Sequence, residues 1–205
     1  MSDESWPQLL LIRHGQTEWS AVGKHTGRTD IGLTEVGRKE AIAAARTLEG
    51  WNLARAYVSP LIRAKETAEL VEPACGLVVD DDLVEWDYGD AEGLTTPEMR
   101  SETPGWSVWT HPMEGGETVA AVGARADAFL GRVLTEVPEG NVAVFSHGHL
   151  LAVMIARWCG LAPVEGRRFA LATATVSLLG SHREDRVIRA LNHRSGMVLD
   201  PPART

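Results

Sequence analysis

The sequence predicts an α/β fold, a three-layer α/β/α sandwich around a mostly parallel, mixed central sheet. Three observations carry that expectation. Short apolar runs alternate with stretches of helical spacing, the order that builds parallel strands joined by crossover helices. Cap and turn residues stand at the joins. The last two apolar runs follow each other with no helix between them, as a closing strand pair.

Leu9-Leu10-Leu11-Ile12 reads as a fully buried strand. Thr34 can cap a helix to about Leu48, with Val36, Ala43 and Leu48 near one face and Gly50 as its stop. Ala56-Tyr57-Val58 is a short strand. Ser59-Pro60 then has the form of an N-cap followed by proline at the first helical position, opening a helix toward Val71. Leu77-Val78-Val79 is a third strand, and Thr96-Pro97 opens a short helix. Residues 101–117 are irregular: they hold two prolines, three glycines, Trp106 and Trp109. Val119, Val122, Ala126, Phe129, Leu130 and Val133 keep helical spacing to about Glu136. Val142–Phe145 is a strand, followed by a helix from about Leu150 to Trp158. Thr175–Leu179 and Val187–Leu191 form the closing pair.

The chain has 205 residues, 44% hydrophobic and 23% charged, and neither repeats nor a linker divide it. A single domain over residues 1–205 is expected. A chain of this size buries roughly 70% of its unfolded surface, so its core needs no disulfide or metal. Twenty basic against 28 acidic residues give a net charge of −8. That argues against nucleic acid as a partner, because backbone affinity needs clustered Lys and Arg. Cys75 and Cys159 have no CxxC or Cys/His spacing and read as buried free thiols of a reducing cytosol. The start, Met1-Ser-Asp-Glu-Ser-Trp-Pro, is acidic and unlike a signal peptide. The longest apolar runs, Leu9–Ile12 and Leu150–Ala156, fall short of the roughly 20 residues that span a bilayer. A soluble, cytoplasmic protein without a membrane partner is expected.

In open α/β sheets ligands sit outside the carboxyl ends of the strands. After the first strand come Arg13-His14-Gly15-Gln16-Thr17, and after the second Ser59-Pro60 and Arg63. After the third, past a turn, comes Glu85; after the fourth come Ser146-His147-Gly148-His149. Arginine offers fork-shaped, permanently charged donors that suit phosphate oxygens. Histidine serves as nucleophile or proton carrier near neutral pH. A glutamate can protonate a leaving oxygen if its pKa is raised toward about 6–7. Gly15 and Gly148 let backbone approach a ligand. Singly, each has an ordinary reading: Arg-His a structural pair, Arg63 a solvated helix face, Glu85 a surface carboxylate. Together, complementary phosphate-handling groups after successive strands are not a chance pattern.

Arg13-His14-Gly15-Gln16-Thr17-Glu18-Trp19 matches the R-H-G-x-T signature of the histidine phosphatase superfamily, the phosphoglycerate mutase-like family, and the chain resembles that family in further blocks. These are Thr26-Gly27-Arg28-Thr29-Asp30, Leu33-Thr34, Ser59–Ala64, Thr67-Ala68, Glu85, Gly89, Glu92-Gly93, Gly115-Gly116-Glu117 and Ser146-His147-Gly148. They run in order over about three quarters of the chain. The resemblance implies a phosphoglycerate mutase-like fold in which His14 attacks phosphorus and becomes a phosphohistidine. Arg13, Arg63 and His147 would bind the phosphoryl oxygens. Glu85 would protonate the leaving alkoxide and then deprotonate water. Thr26, Gly27 and Tyr88 match substrate-touching positions, and Gly148 and His149 lie beside them. No metal or cofactor is implied, and Arg13 and Arg63 would repel a cation placed between His14 and His147. Members of the family often form dimers or tetramers.

One departure matters. Ser20 stands where the family has an Asn that helps hold phosphate; its hydroxyl has shorter reach. Trp19-Ser20 and Glu85-Trp86-Asp87-Tyr88-Gly89-Asp90 resemble a sugar-bisphosphatase branch and small acid phosphatases of the family. The mutases carry a longer insertion with extra arginines, whereas Glu98–Gly116 holds Arg100 as its sole basic residue beside Trp106, Trp109, His111 and Met113. The resemblance therefore implies a metal-independent phosphatase acting on a small phosphorylated metabolite. The alternatives are a cofactor-dependent phosphoglycerate mutase and a catalytically silent phosphate-binding module. Trp106 and Trp109 either pack against the lid helix or line the cleft. His149 either faces the substrate or sits at the start of its helix. His25, His182 and His193 have no motif and read as surface residues.

Overall fold

The computed structural model describes residues 7–137, 140–194 and 199; the reading of the first six residues as an acidic, non-signal start lies outside them. Six strands form one sheet: β1 (Gln8–Arg13), β2 (Leu53–Val58), β3 (Leu77–Val79), β4 (Asn141–Ser146), β5 (Val176–His182) and β6 (Asp185–His193). Their spatial order is β3-β2-β4-β1-β5-β6. The pairs β1/β4, β2/β4 and β2/β3 are parallel, while β5 and β6 close the sheet antiparallel to β1. The helices are α1 (Glu18–Val22), α2 (Glu35–Ala45), α3 (Ile62–Val71), α4 (Thr96–Glu102), α5 (Val119–Glu136) and α6 (Gly148–Trp158).

Successive strand side chains point to opposite faces, so two separate cores follow from one set of strands. Leu10, Ile12, Ala56, Val58, Ala143 and Phe145 face Ala44 of α2 and Ala64, Ala68 and Val71 of α3. Leu9, Leu11, Tyr57, Val142 and Val144 face Phe129, Leu130 and Val133 of α5 and Leu150, Leu151 and Met154 of α6. The predicted three layers are present. Each fully buried large aliphatic side chain in them contributes about 1.5–3 kcal/mol of transfer free energy. None of the described helices is long and apolar enough to cross a membrane.

Several local expectations change. Thr34 caps α2 through Gly37 N–H as predicted. The buried face, however, is Gly37, Ala41 and Ala44, continued by Thr47 and Leu48, while Val36 is 50% exposed. Small residues win that face because α2 lies too close for larger ones: a Cβ on Gly37 would stand 2.1 Å from the Gln16 carbonyl oxygen. Helix α3 starts at Ile62 after Leu61, two residues beyond the predicted Ser59 cap. The Ser59 hydroxyl is engaged by His147 instead, 2.8 Å away. Cys75 and Cys159 are free thiols but half-buried rather than buried. Strand β3, read as an ordinary third strand, is the exposed edge of the sheet.

Candidate active site

Strands β1 and β4 run parallel and adjacent, so their carboxyl ends deliver Arg13-His14 and His147-Gly148 to one rim. A cavity of about 400 Å³ opens there; Arg13, His14, Glu85, Tyr88, Gly148 and His149 line one part of it. The backbone fixes His14 first. Its N–H donates to Ser146 O (2.9 Å), and its carbonyl accepts from Ala174 N–H (3.1 Å). Ring Nδ1 lies 2.7 Å from Gly15 O. A carbonyl oxygen only accepts, so Nδ1 carries the proton and Nε2 keeps its lone pair. Burial, then the charges of Arg13 and Arg63, hold the His14 pKa well below its usual 6.5. The ring is therefore a neutral imidazole at physiological pH.

His147 is neutral for the same reasons, burial first and Arg63 second. Its Nδ1 accepts the Arg63 Nε–H (3.1 Å), which leaves the proton on Nε2 to donate to Ser59 Oγ (2.8 Å). The two imidazole centroids are 5.2 Å apart. Arg63 is not a solvated residue: it is wholly buried. Besides His147 it donates to Thr29 O (2.9 Å), Thr26 O (3.0 Å) and Gly27 O (2.9 Å). Four of its five N–H donors thus clamp the 26–29 loop and His147. From the other side, Glu92 accepts the N–H groups of Gly27 (2.9 Å) and Thr29 (3.0 Å). Gly27 itself is required, because a Cβ there would stand 2.5 Å from Trp86 O. Thr26 lines the cavity; Gly27, Arg63 and His147 stand behind the wall.

Glu85 is also buried. Its Oε1 accepts from Trp86 N–H and Leu150 N–H (both 2.9 Å), and Oε2 accepts from His149 N–H (3.0 Å). The carboxylate thus rests on the first turn of α6, whose unpaired N–H groups favour a negative charge. Three of its lone-pair sites are used, and one on Oε2 remains. Arg13 donates to Leu171 O, while its buried Nε has no partner among the described residues. Gly148 makes room for it: a Cβ there would lie 3.3 Å from the guanidinium.

Ser20 lines the cavity, yet its hydroxyl donates to Thr17 O (3.1 Å) and accepts from Thr17 N–H (2.8 Å). Its donor is committed to the cap of α1. The Tyr88 hydroxyl is 2.5 Å from His149 Nδ1. Burial and the Glu85 charge raise Tyr88 well above 10, so it stays a phenol. His149 is the second residue of α6 and also lines the cavity, edge-on to Trp109 at 5.2 Å. Trp106 packs in the core, whereas Trp109 is part of the cavity wall.

His25 corrects the sequence reading. It is buried, lines the cavity, and packs 5.0 Å from the Tyr88 ring and 5.3 Å from Trp106. Burial, then His149, pulls its pKa down to about 4. His182 is exposed as expected; His193 is half-buried. Sequence reasoning missed Lys24, Arg167 and Phe169, which also line the cavity. Lys24 stood beside the Thr26-Gly27 block, a signal that was available; Arg167 and Phe169 lie in no motif. Among the described residues, no group of three or more His, Cys, Asp or Glu is placed to hold a metal ion.

The sequence model of the histidine phosphatase superfamily (branch 1) matches residues 9–194. An acid phosphatase of Mycobacterium tuberculosis is 43% identical over 178 residues, covering 84% of this chain and 86% of that protein. Sedoheptulose 1,7-bisphosphatase of Saccharomyces cerevisiae is 34% identical, covering 76% and 68%. A 2,3-bisphosphoglycerate-dependent phosphoglycerate mutase of Brucella ovis is 36% identical, covering 76% and 82%. Among solved structures, that of an open reading frame of Mycobacterium tuberculosis superposes with a TM-score of 0.86 at 40% identity, covering 92% of this chain and 98% of that one.

Proposed function

The chain belongs to the histidine phosphatase superfamily, and from that premise we propose that it hydrolyses small phosphate monoesters, sugar phosphates and bisphosphates among them, without a metal. The observation that carries this reading is the His14 imidazole: neutral, protonated on Nδ1, with its Nε2 lone pair at a cavity that also holds Arg13 and Glu85.

Nε2 attacks phosphorus as the ester P–O bond breaks, and Glu85, through its remaining Oε2 lone pair, takes the proton of the monoanionic ester and passes it to the leaving oxygen. Water then attacks the phosphohistidine, Glu85 takes its proton, and the P–N bond breaks to release phosphate. Arg13 offers its unpartnered Nε–H to the phosphoryl oxygens. The remaining Arg63 N–H adds its charge to the same oxygens from behind the cavity wall, and His147, with Nδ1 on Arg63 Nε–H and Nε2–H on Ser59 Oγ, holds that guanidinium in place. These donors are fixed before substrate arrives, which is what makes electrostatic stabilisation effective. We further propose one domain acting in the cytoplasm on a small metabolite, with no nucleic-acid or membrane partner, and self-association into dimers or tetramers.

A mutase must exclude water and grip a carboxylated acid. The 98–116 segment has Arg100 as its sole basic residue, and that side chain donates to Trp106 O (2.9 Å). Arg100 is not among the residues that line the cavity, so the lid brings no arginine to it, which favours hydrolysis. The test is phosphate release, with chelator, from fructose 1,6-bisphosphate, sedoheptulose 1,7-bisphosphate, 3-phosphoglycerate and p-nitrophenyl phosphate, run beside a 3- to 2-phosphoglycerate assay. Release without isomerisation is expected. Isomerisation without release would make the chain a mutase, and neither would leave a silent binding module.

A further inference from the structure

Hydrolysis uses the buried end of the cavity and leaves two cations elsewhere in its wall without a task. Lys24 and Arg167 line it from elements that carry none of the reacting groups: the loop after α1 and a 3₁₀ turn at Pro163–Arg168. They mark the open end, since the Arg167 side chain is 43% exposed while His14 and Glu85 are each 5% exposed.

The charge balance is the argument. Arg13, Lys24 and Arg167 face the cavity against one carboxylate, Glu85, in a chain whose net charge is −8. Arg13, backed by Arg63, already serves the phosphoryl end. Neither outer cation is consumed by an internal partner. Arg167 meets Glu165 only at 3.3 Å, and Glu165 is shared with the closer Arg168. Lys24 lies over the Trp19 ring at 5.5 Å and feels Glu98 of α4, but makes no ion pair among the described residues. Trp109 and Phe169 share the wall with them and offer apolar surface to a carbon skeleton. A cationic pocket on an acidic protein focuses attraction on anions.

We infer that Lys24 and Arg167 bind a second anionic group, a carboxylate or a second phosphate, so that the preferred esters carry two anions on one short carbon skeleton. This rests on the hydrolase reading and narrows its substrate class. Two matched pairs test it: 3-phosphoglycerate against glycerol 3-phosphate, and fructose 1,6-bisphosphate against fructose 1-phosphate. The readout is the ratio of kcat/KM within each pair, which cancels any general damage.

In the unaltered protein at least one pair favours the doubly anionic ester, and that pair tells whether the second anion is carboxylate or phosphate. In Lys24→Gln/Arg167→Gln the ratio falls about 10-fold through KM, the size of a half-exposed charge-assisted contact. Lys24→Arg/Arg167→Lys restores it. Ratios near one in the unaltered protein, or unmoved by the double substitution, overturn the inference. Calorimetric affinities of the same esters separate it from the hydrolase reading. Charge-selective binding without phosphate release would sink hydrolysis and keep the second-anion site.

Discussion

The two ends of the cavity are built differently. At the buried end backbone ties down most of the site: His14 through Gly15 O, Glu85 through three N–H groups, Arg63 through three carbonyls, with His147 held in turn by the Arg63 and Ser59 side chains. At the open end Lys24 and Trp109 are held by ring contacts, Arg167 by one long ion pair, and Phe169 by packing at the edge of the core. A group bonded to backbone cannot be replaced without orphaning buried polar atoms, whereas a half-exposed side chain can change at little cost. The first construction suits chemistry that must not vary; the second suits a specificity that can.

The strongest way to break this contrast is at the nucleophile. His14→Ala is expected to lower kcat by at least about 10³-fold on every ester, because no neighbouring group supplies a lone pair in its place. Circular dichroism should show the fold retained. Turnover above about 1% of the unaltered protein would remove His14 as the nucleophile.

That contrast also explains what the sequence disclosed. The buried end lies on residues immediately after strands, where the fold rule and the R-H-G signature both point, so His14, Arg63, Glu85 and His147 were readable. Their bonding was not. Taken alone, Arg63 reads as a solvated helix face, because nothing local reveals that the 26–29 carbonyls converge on it. Ser20 kept its place in the wall, but its hydroxyl went to the cap of α1, a competition between local and distant partners that spacing does not resolve. The open end was dark. Arg167 and Phe169 come from an irregular segment that only tertiary packing brings to the site, with Gly166 seated against the Trp109 ring.

Glu85 sharpens the contrast next. Glu85→Gln keeps the side-chain length and one acceptor oxygen but supplies no acidic proton. Alkyl esters, whose leaving alkoxide needs that proton, should lose about 100-fold in kcat. p-Nitrophenyl phosphate, with a stable leaving group, should lose less than about 10-fold in the phosphorylation step. Equal losses on both, read from single-turnover phosphorylation, would place Glu85 in positioning rather than proton transfer.

His25 belongs to neither construction: it is buried like the first and motif-free like the second, and pH separates its contribution. Its pKa is lowered to about 4 in the folded protein, against 6.5 when unfolded. Between those values the unfolded chain holds a proton on His25 that the folded chain does not, so folding loses stability as pH falls. The contribution is complete above pH 6.5 and is lost progressively toward pH 4. His14, His147 and His149 are shifted downward too, so the whole protein weakens over the same range, and His25 must be read by difference. In His25→Gln the decline in unfolding free energy from pH 6.5 to 4, followed by urea titration, should be smaller by about 2 kcal/mol. Parallel curves would mean that His25 titrates as an exposed imidazole, and that the aromatic packing around Tyr88 and Trp106 opens to water at acid pH.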